Sequence, residues 1–66
     1  MTGKELVALP IGSIVKMAHD DGTIEEGEII KAGTICHIMW PESKVTNVID
    51  TNAKGWQTYI GWLEAE

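Results

Sequence analysis

A chain of 66 residues forms one domain, and a domain of this size buries only about 60% of the surface that its unfolded form exposes. It carries ten acidic residues against five basic residues, all of them lysines, which gives a net charge of -5. Bidentate contacts to guanine and phosphate depend on arginine, and phosphate binding needs clustered positive charge. The composition therefore argues against nucleic acid as a ligand.

The chain has a single cysteine, Cys36, so no disulfide can form within it. Domains this small often gain stability from oligomerisation, and we therefore expect docking onto a protein partner or onto a second copy. The first apolar run, residues 6–9, is too short for a secretory signal, and no stretch approaches the roughly 20 apolar residues of a membrane span. We expect no membrane association and a cytoplasmic location, where a reducing compartment keeps the thiol free.

The first predicted element is a helical turn near the N-terminus. Thr2 and Glu5 have the spacing of a capping box, and Pro10 prevents a helix from continuing past it. From Gly12 onward, turn-forming residues separate short runs that are typical of strands. We therefore divide the chain into an N-terminal arm, residues 1–11, and a β-domain, residues 12–66.

Four strands are predicted next, over residues 13–18, 24–31, 34–40 and 45–49, with turns at 20–22, 32–33 and 41–44. Gly27 interrupts the second strand, where a glycine often marks a bulge or a sharp bend. The third strand is largely apolar on both faces, which predicts a central position in the sheet.

The C-terminal segment, residues 55–64, fits two structures. Trp56, Tyr59, Ile60 and Leu63 share a helical face, but the content of tryptophan, threonine, tyrosine and isoleucine favours a strand. We predict a closing strand over 58–64. A barrel this small cannot bury all of the aromatic side chains, so we expect a partner-binding surface here, with Trp62 as the exposed anchor and then Tyr59 and Trp56. The alternative is that Trp62 closes the hydrophobic core.

Several short motifs together resemble the SH3-like small barrels of the Tudor and KOW type. They share a glycine-led first strand, a glycine before the core residue of the second strand, and a third strand that ends near an aromatic residue. The motifs are Gly12-Ser13-Ile14-Val15, Asp21-Gly22, Glu26-Gly27-Glu28-Ile29, and Cys36-His37-Ile38-Met39-Trp40 before a turn and Val45. The resemblance covers residues 12–64 and implies an all-β fold, a five-stranded SH3-like barrel.

The chain is also similar in style to small SH3-like proteins encoded by tailed phages. That similarity implies a structural or accessory component of a phage assembly, in the host cytoplasm or in the virion. Tudor-type barrels hold methylated side chains in an aromatic cage, but residues 19–23, which would supply one wall, contain no aromatic residue. We assign Trp40 to the core.

An enzyme is the least favoured alternative. Gln57-Thr58-Tyr59 resembles the Gln-x-Tyr segment of the plasmid-encoded, SH3-like dihydrofolate reductases, which are oligomeric. Cys36 and His37 are adjacent, so on a strand they point to opposite faces and cannot share a metal ion, and His19 is expected in a solvated turn. We expect no enzymatic activity, cofactor, metal or small-molecule ligand.

A group of acidic residues forms the clearest polar feature, and we call it the acidic edge: Asp20, Asp21, Glu25, Glu26 and Glu28. One interpretation is a solvated strand edge whose charges discourage aggregation. The other is attraction to a basic protein surface. The sequence thus predicts a protein-interaction module, either a component of a larger assembly or an acidic regulator of a host protein.

Overall fold

The computed structural model describes residues 1–66. The fold is mostly β, with five antiparallel strands in one sheet, a short helix at the N-terminus and a small helix near the C-terminus. The elements in chain order are α1 (Gly3–Val7), β1 (Ile14–Ala18), β2 (Ile24–Lys31), β3 (Ile35–Trp40), β4 (Val45–Asp50), a 3-10 helix (Lys54–Trp56), α2 (Gln57–Trp62) and β5 (Leu63–Ala65). The strand order is β4-β3-β2-β1-β5, which is compatible with a small β-barrel-like fold.

Helix α1 confirms the predicted helical turn and its capping box. The Thr2 hydroxyl accepts a hydrogen bond from the Glu5 main-chain nitrogen (3.2 Å), and the Glu5 carboxylate accepts one from the Thr2 nitrogen (3.0 Å). These bonds satisfy donors that the first turn of a helix leaves free. The helix places Leu6 in the core with no exposed surface, so the segment that we separated as an arm contributes to the packing of the sheet.

The four strands predicted before residue 50 are confirmed, with boundaries shifted by a residue at most. β3 pairs with both β2 and β4, as its two apolar faces predict. Gly22 turns the chain between β1 and β2 with a φ of 88°, a conformation that glycine adopts without a steric penalty.

Gly27 was predicted to mark a bulge or a bend, and the bulge is wrong. Gly27 lies opposite Val15 in regular register, and the irregularity in β2 falls between Ile29 and Lys31 instead. A β-carbon on Gly27 would lie 2.8 Å from a ring atom of Trp40 and 2.8 Å from a methyl group of Ile38. Glycine is required here because the indole ring packs directly on the main chain of β2.

The closing strand predicted over residues 58–64 is also wrong for most of its length. Residues 57–62 form helix α2, and only Leu63–Ala65 extend as β5 beside β1. Helix α2 buries Ile60 in the core and half-buries Tyr59 against it, and β5 begins with the buried Leu63. Burial of this helical face outweighs the strand preference of the tryptophan, threonine and tyrosine side chains, which depends on context.

The core lies between one face of the sheet and the two α-helices. Its nine buried apolar residues are Leu6, Val15, Ile29, Cys36, Ile38, Trp40, Ile49, Ile60 and Leu63. Burial raises the pKa of the Cys36 thiol, which keeps it protonated as a small core side chain. None of the helices has the length and apolar character needed to cross a membrane.

Candidate functional site

The three aromatic residues predicted for partner binding form a row along the 3-10 helix and α2. Trp56 packs edge-on against Tyr59, with ring centroids 5.3 Å apart, and Tyr59 lies 6.5 Å from Trp62. Trp56 and Tyr59 are half-buried against the core, whereas Trp62 is 61% exposed. Trp62 therefore presents an apolar surface that the rest of the chain does not cover.

Trp62 forms one wall of an open cleft of about 330 Å³, lined by Met17, Ala18, His19, Asp20 and Trp62. Met17 also lines a second depression, of about 150 Å³. We call the two together the Met17 groove. The lining of the second depression is Met17, Glu25, Trp40, Ser43, Val45, Asn47 and Tyr59.

Asn47 holds two aromatic side chains of the second depression in place through hydrogen bonds. Its Oδ1 accepts a hydrogen bond from Trp40 Nε1 (2.8 Å) and another from the Tyr59 hydroxyl (2.8 Å). Both partners donate, so the orientation of the amide is determined. Burial raises the pKa of the Tyr59 hydroxyl, which keeps it a donor at neutral pH. Asn47 thus joins α2 to the sheet and satisfies two polar groups beside the core.

Glu25 lines the same depression and connects the turn before β2 with the turn before β4. Its carboxylate accepts a hydrogen bond from the Ser43 hydroxyl (2.6 Å) and lies 3.0 Å from His19 Nε2. The side chain is only 12% exposed. The hydrogen bond from Ser43, followed by that from His19, holds the pKa of Glu25 below its usual value.

We expect Glu25→Gln to lower the melting temperature at pH 7, with a difference that shrinks as the pH falls. The folded-state pKa of Glu25 lies below its unfolded value, so the ionised form stabilises the fold above the unfolded pKa and this stabilisation is lost as the pH falls through the folded pKa. Thermal melts of both proteins from pH 7 to pH 3 measure it, with the exposed Glu42→Gln as control. A difference that stays constant across this range would contradict the prediction.

The structure does not bring the acidic edge together on one surface. Asp20 and Glu25 line the Met17 groove, and Asp21 stabilises its own turn by accepting hydrogen bonds from the Thr23 hydroxyl (2.6 Å) and nitrogen (3.0 Å). Glu26 and Glu28 flank the buried Gly27 in β2 and so lie on the outer face of the sheet.

Sequence reasoning missed Met17, which lines both depressions, and Asn47, which lines the second. Strand alternation carried a signal for both. Met17 lies two residues after the buried Val15, and Asn47 lies between Val45 and Ile49 on the core-facing side of its strand. A polar residue at such a position needs a hydrogen-bond partner, and here the partners are Trp40 of β3 and Tyr59 of α2, a helix that the sequence did not predict.

No three metal-ligating side chains gather at any place in the structure. His19 lies in the turn between β1 and β2, and His37 lies on the outer face of β3, opposite Val48. No protein-family model, curated protein or solved structure matches the chain. The groove offers the exposed indole of Trp62, the thioether of Met17 and two carboxylates, Asp20 in the cleft beside Trp62 and Glu25 in the second depression.

Proposed function

We propose that this chain is a small non-enzymatic protein-interaction module that binds a protein partner through Trp62 and the Met17 groove. The observation that carries the proposal is the exposed indole of Trp62 beside an open cleft. Tryptophan and tyrosine are the residues most enriched in binding hot spots, where they fill or flank a pocket at the centre of an interface. A wide cleft of this shape fits the side chains of a protein segment.

The rigidity of the groove supports the same proposal. Tyr59 is hydrogen-bonded to Asn47 of the sheet, and Glu25 links the turn before β2 to the turn before β4. Leu63, which follows Trp62, is fully buried, so the main chain that carries the indole is anchored. A preformed surface loses little conformational entropy on binding, which raises affinity for a given contact area.

The strand order supports an SH3-like barrel, with a short helical segment between the fourth and fifth strands. With the similarity in style to small phage proteins, this leads us to propose a structural or accessory component of a larger, phage-encoded assembly. Gln57 supports a non-enzymatic role. Its amide donates to the carbonyl oxygens of Thr51 and Ala53 (2.9 Å each), so it serves the turn before α2.

The second candidate is an acidic regulator that occupies a basic site on a host protein. Asp20 lines the cleft next to Trp62 and is exposed, while no lysine lines either depression. A lysine or arginine of the partner could reach Asp20 while an apolar neighbour contacts Trp62, and such charge complementarity raises the association rate. Binding that weakens steeply with salt would favour this candidate over the first.

We expect Trp62→Ala to lose partner binding while the fold is kept. Truncation of a central hot-spot residue costs ~2 kcal/mol or more, which is a loss of roughly thirtyfold in affinity. Calorimetric titration of a partner captured from native lysate measures the affinity, and thermal melting measures the fold.

The control is Ile11→Ala, because Ile11 is 66% exposed and lines neither depression. It should bind as the wild type does. A folded Trp62→Ala protein with unchanged affinity would contradict the proposal, and so would one that unfolds, since Trp62 would then belong to the core.

A further inference from the structure

Strand β4 is an edge of the sheet, and its outer side is uncovered. The hydrogen bond from the Thr51 nitrogen to the Thr34 carbonyl (2.9 Å) continues the ladder between β3 and β4. In an antiparallel pair, the main-chain N–H and C=O groups of every second residue point toward the neighbouring strand. Because those of Thr51 point toward β3, so do those of residues 45, 47 and 49. The main-chain groups of Thr46, Val48 and Asp50 point away from β3.

Two of these three residues have no main-chain partner on the open side. The Asp50 carbonyl accepts a hydrogen bond from the Ala53 nitrogen (3.1 Å), but none of the turn, loop or side-chain hydrogen bonds involves the main chain of Thr46 or Val48. Both side chains are exposed. β4 therefore presents a ready template for another strand.

The opposite edge is protected. β5 has only three residues, it contains Glu64, and the Leu63 carbonyl already accepts a hydrogen bond from the Met1 nitrogen (2.6 Å). Residues 45–49 of β4 contain neither a charge nor a proline, the two features that usually prevent an edge strand from pairing. The asymmetry singles out β4 as the edge that pairs.

We propose that a second copy of this chain pairs antiparallel with β4, with Thr46 opposite Val48 of the partner subunit. The charges that flank the strand select this occupant. Lys44 precedes β4 and Asp50 ends it, so this register places Lys44 opposite Asp50 of the partner subunit, and the two-fold axis repeats the pair. In a parallel pair of β4 strands, like charges would lie opposite each other. β5 of another copy has only three residues, and its Leu63 carbonyl already accepts a hydrogen bond.

This pairing forms about four main-chain hydrogen bonds, two for each Thr46–Val48 pair, together with two surface ion pairs. Such a small interface gives a weak, concentration-dependent dimer. The interaction is independent of the proposed partner surface, because neither Thr46 nor Val48 lines the Met17 groove.

Charge exchange tests both the dimer and its register. Lys44→Glu and Asp50→Lys each place two like-charged pairs in the homodimer, and we expect each to weaken it at least tenfold in sedimentation equilibrium at low salt. A mixture of the two variants restores both attractive pairs, and so does the double variant. Asp50 also accepts a hydrogen bond from the Asn52 nitrogen (3.0 Å), so thermal melts accompany each measurement.

Val48→Pro removes an outward donor without breaking the ladder to β3, and we expect it to abolish the dimer while partner binding through Trp62 continues. Three results would each overturn the proposal. They are a wild-type protein that stays monomeric at millimolar concentration, a dimer unaffected by Val48→Pro, and a mixture of the charge variants that dimerises no better than either alone.

Discussion

Replacing Gly27 by alanine is expected to lower the stability of the domain by about 1–3 kcal/mol, the usual cost of forcing an extra carbon into a packed core. The new β-carbon would lie 2.8 Å from both the Trp40 ring and the Ile38 side chain, well inside van der Waals contact. The indole cannot move freely, since its Nε1 is hydrogen-bonded to Asn47. Urea unfolding of both proteins measures the difference.

Gly61→Ala is the matched control for this prediction. Gly61 lies in α2, and a β-carbon there would meet no atom within 4 Å. The same chemical change should therefore stabilise the protein, by up to about 1 kcal/mol from helix propensity. Equal unfolding midpoints for the two variants would show that the close approach of Trp40 to β2 does not constrain residue 27.

The second large effect is expected at Leu6, which belongs to the N-terminal segment but is fully buried. Leu6→Ala removes a core side chain and leaves a cavity, which costs about 2–5 kcal/mol. Val7→Ala is the control, because Val7 is 39% exposed and its truncation should change the free energy of unfolding by less than about 1 kcal/mol.

Urea unfolding again measures both variants. A Leu6→Ala protein as stable as Val7→Ala would mean that residues 1–11 are an arm that the core does not need. A large loss would show that α1 is an integral part of the core.

The strands before residue 50 could be predicted because their alternation and their turn residues agree. Gly22 supplies the backbone freedom that the first turn needs, and Pro41 ends β3 where its missing N–H would break the ladder. The segment after residue 50 could not be predicted in this way. Its aromatic residues prefer strands, and only packing against the core decides that residues 57–62 are helical.

The candidate site was predictable in part, since Trp62, Tyr59, Asp20 and Glu25 were all named from the sequence and all line the groove. The small size of the chain predicted that an aromatic side chain would remain exposed, and Trp62 is that side chain. Its role as the anchor for a partner stays a prediction. Strand alternation marked Met17 and Asn47 as core-facing, but their place in a groove depends on α2, which brings Tyr59 beside the sheet.

Two surfaces with separate tasks follow from the proposals. The Met17 groove, at one end of the sheet, would bind a different protein, and the open edge of β4 would bind a second copy. A two-fold dimer through β4 would present two grooves on one particle, and linking two sites in this way raises the overall affinity for a multivalent partner. That property suits a component of a larger assembly.

Hydrogen–deuterium exchange of the complex with its captured partner tests the central proposal most directly, since it reports where the partner covers the chain. We expect slower exchange in α2 and in the turns before β2 and before β4, which surround Trp62 and the Met17 groove. The edge of β4 should exchange at the rate of the free protein at the same concentration. Protection confined to the outer face of the sheet, with α2 unchanged, would contradict the assignment of Trp62 as the anchor.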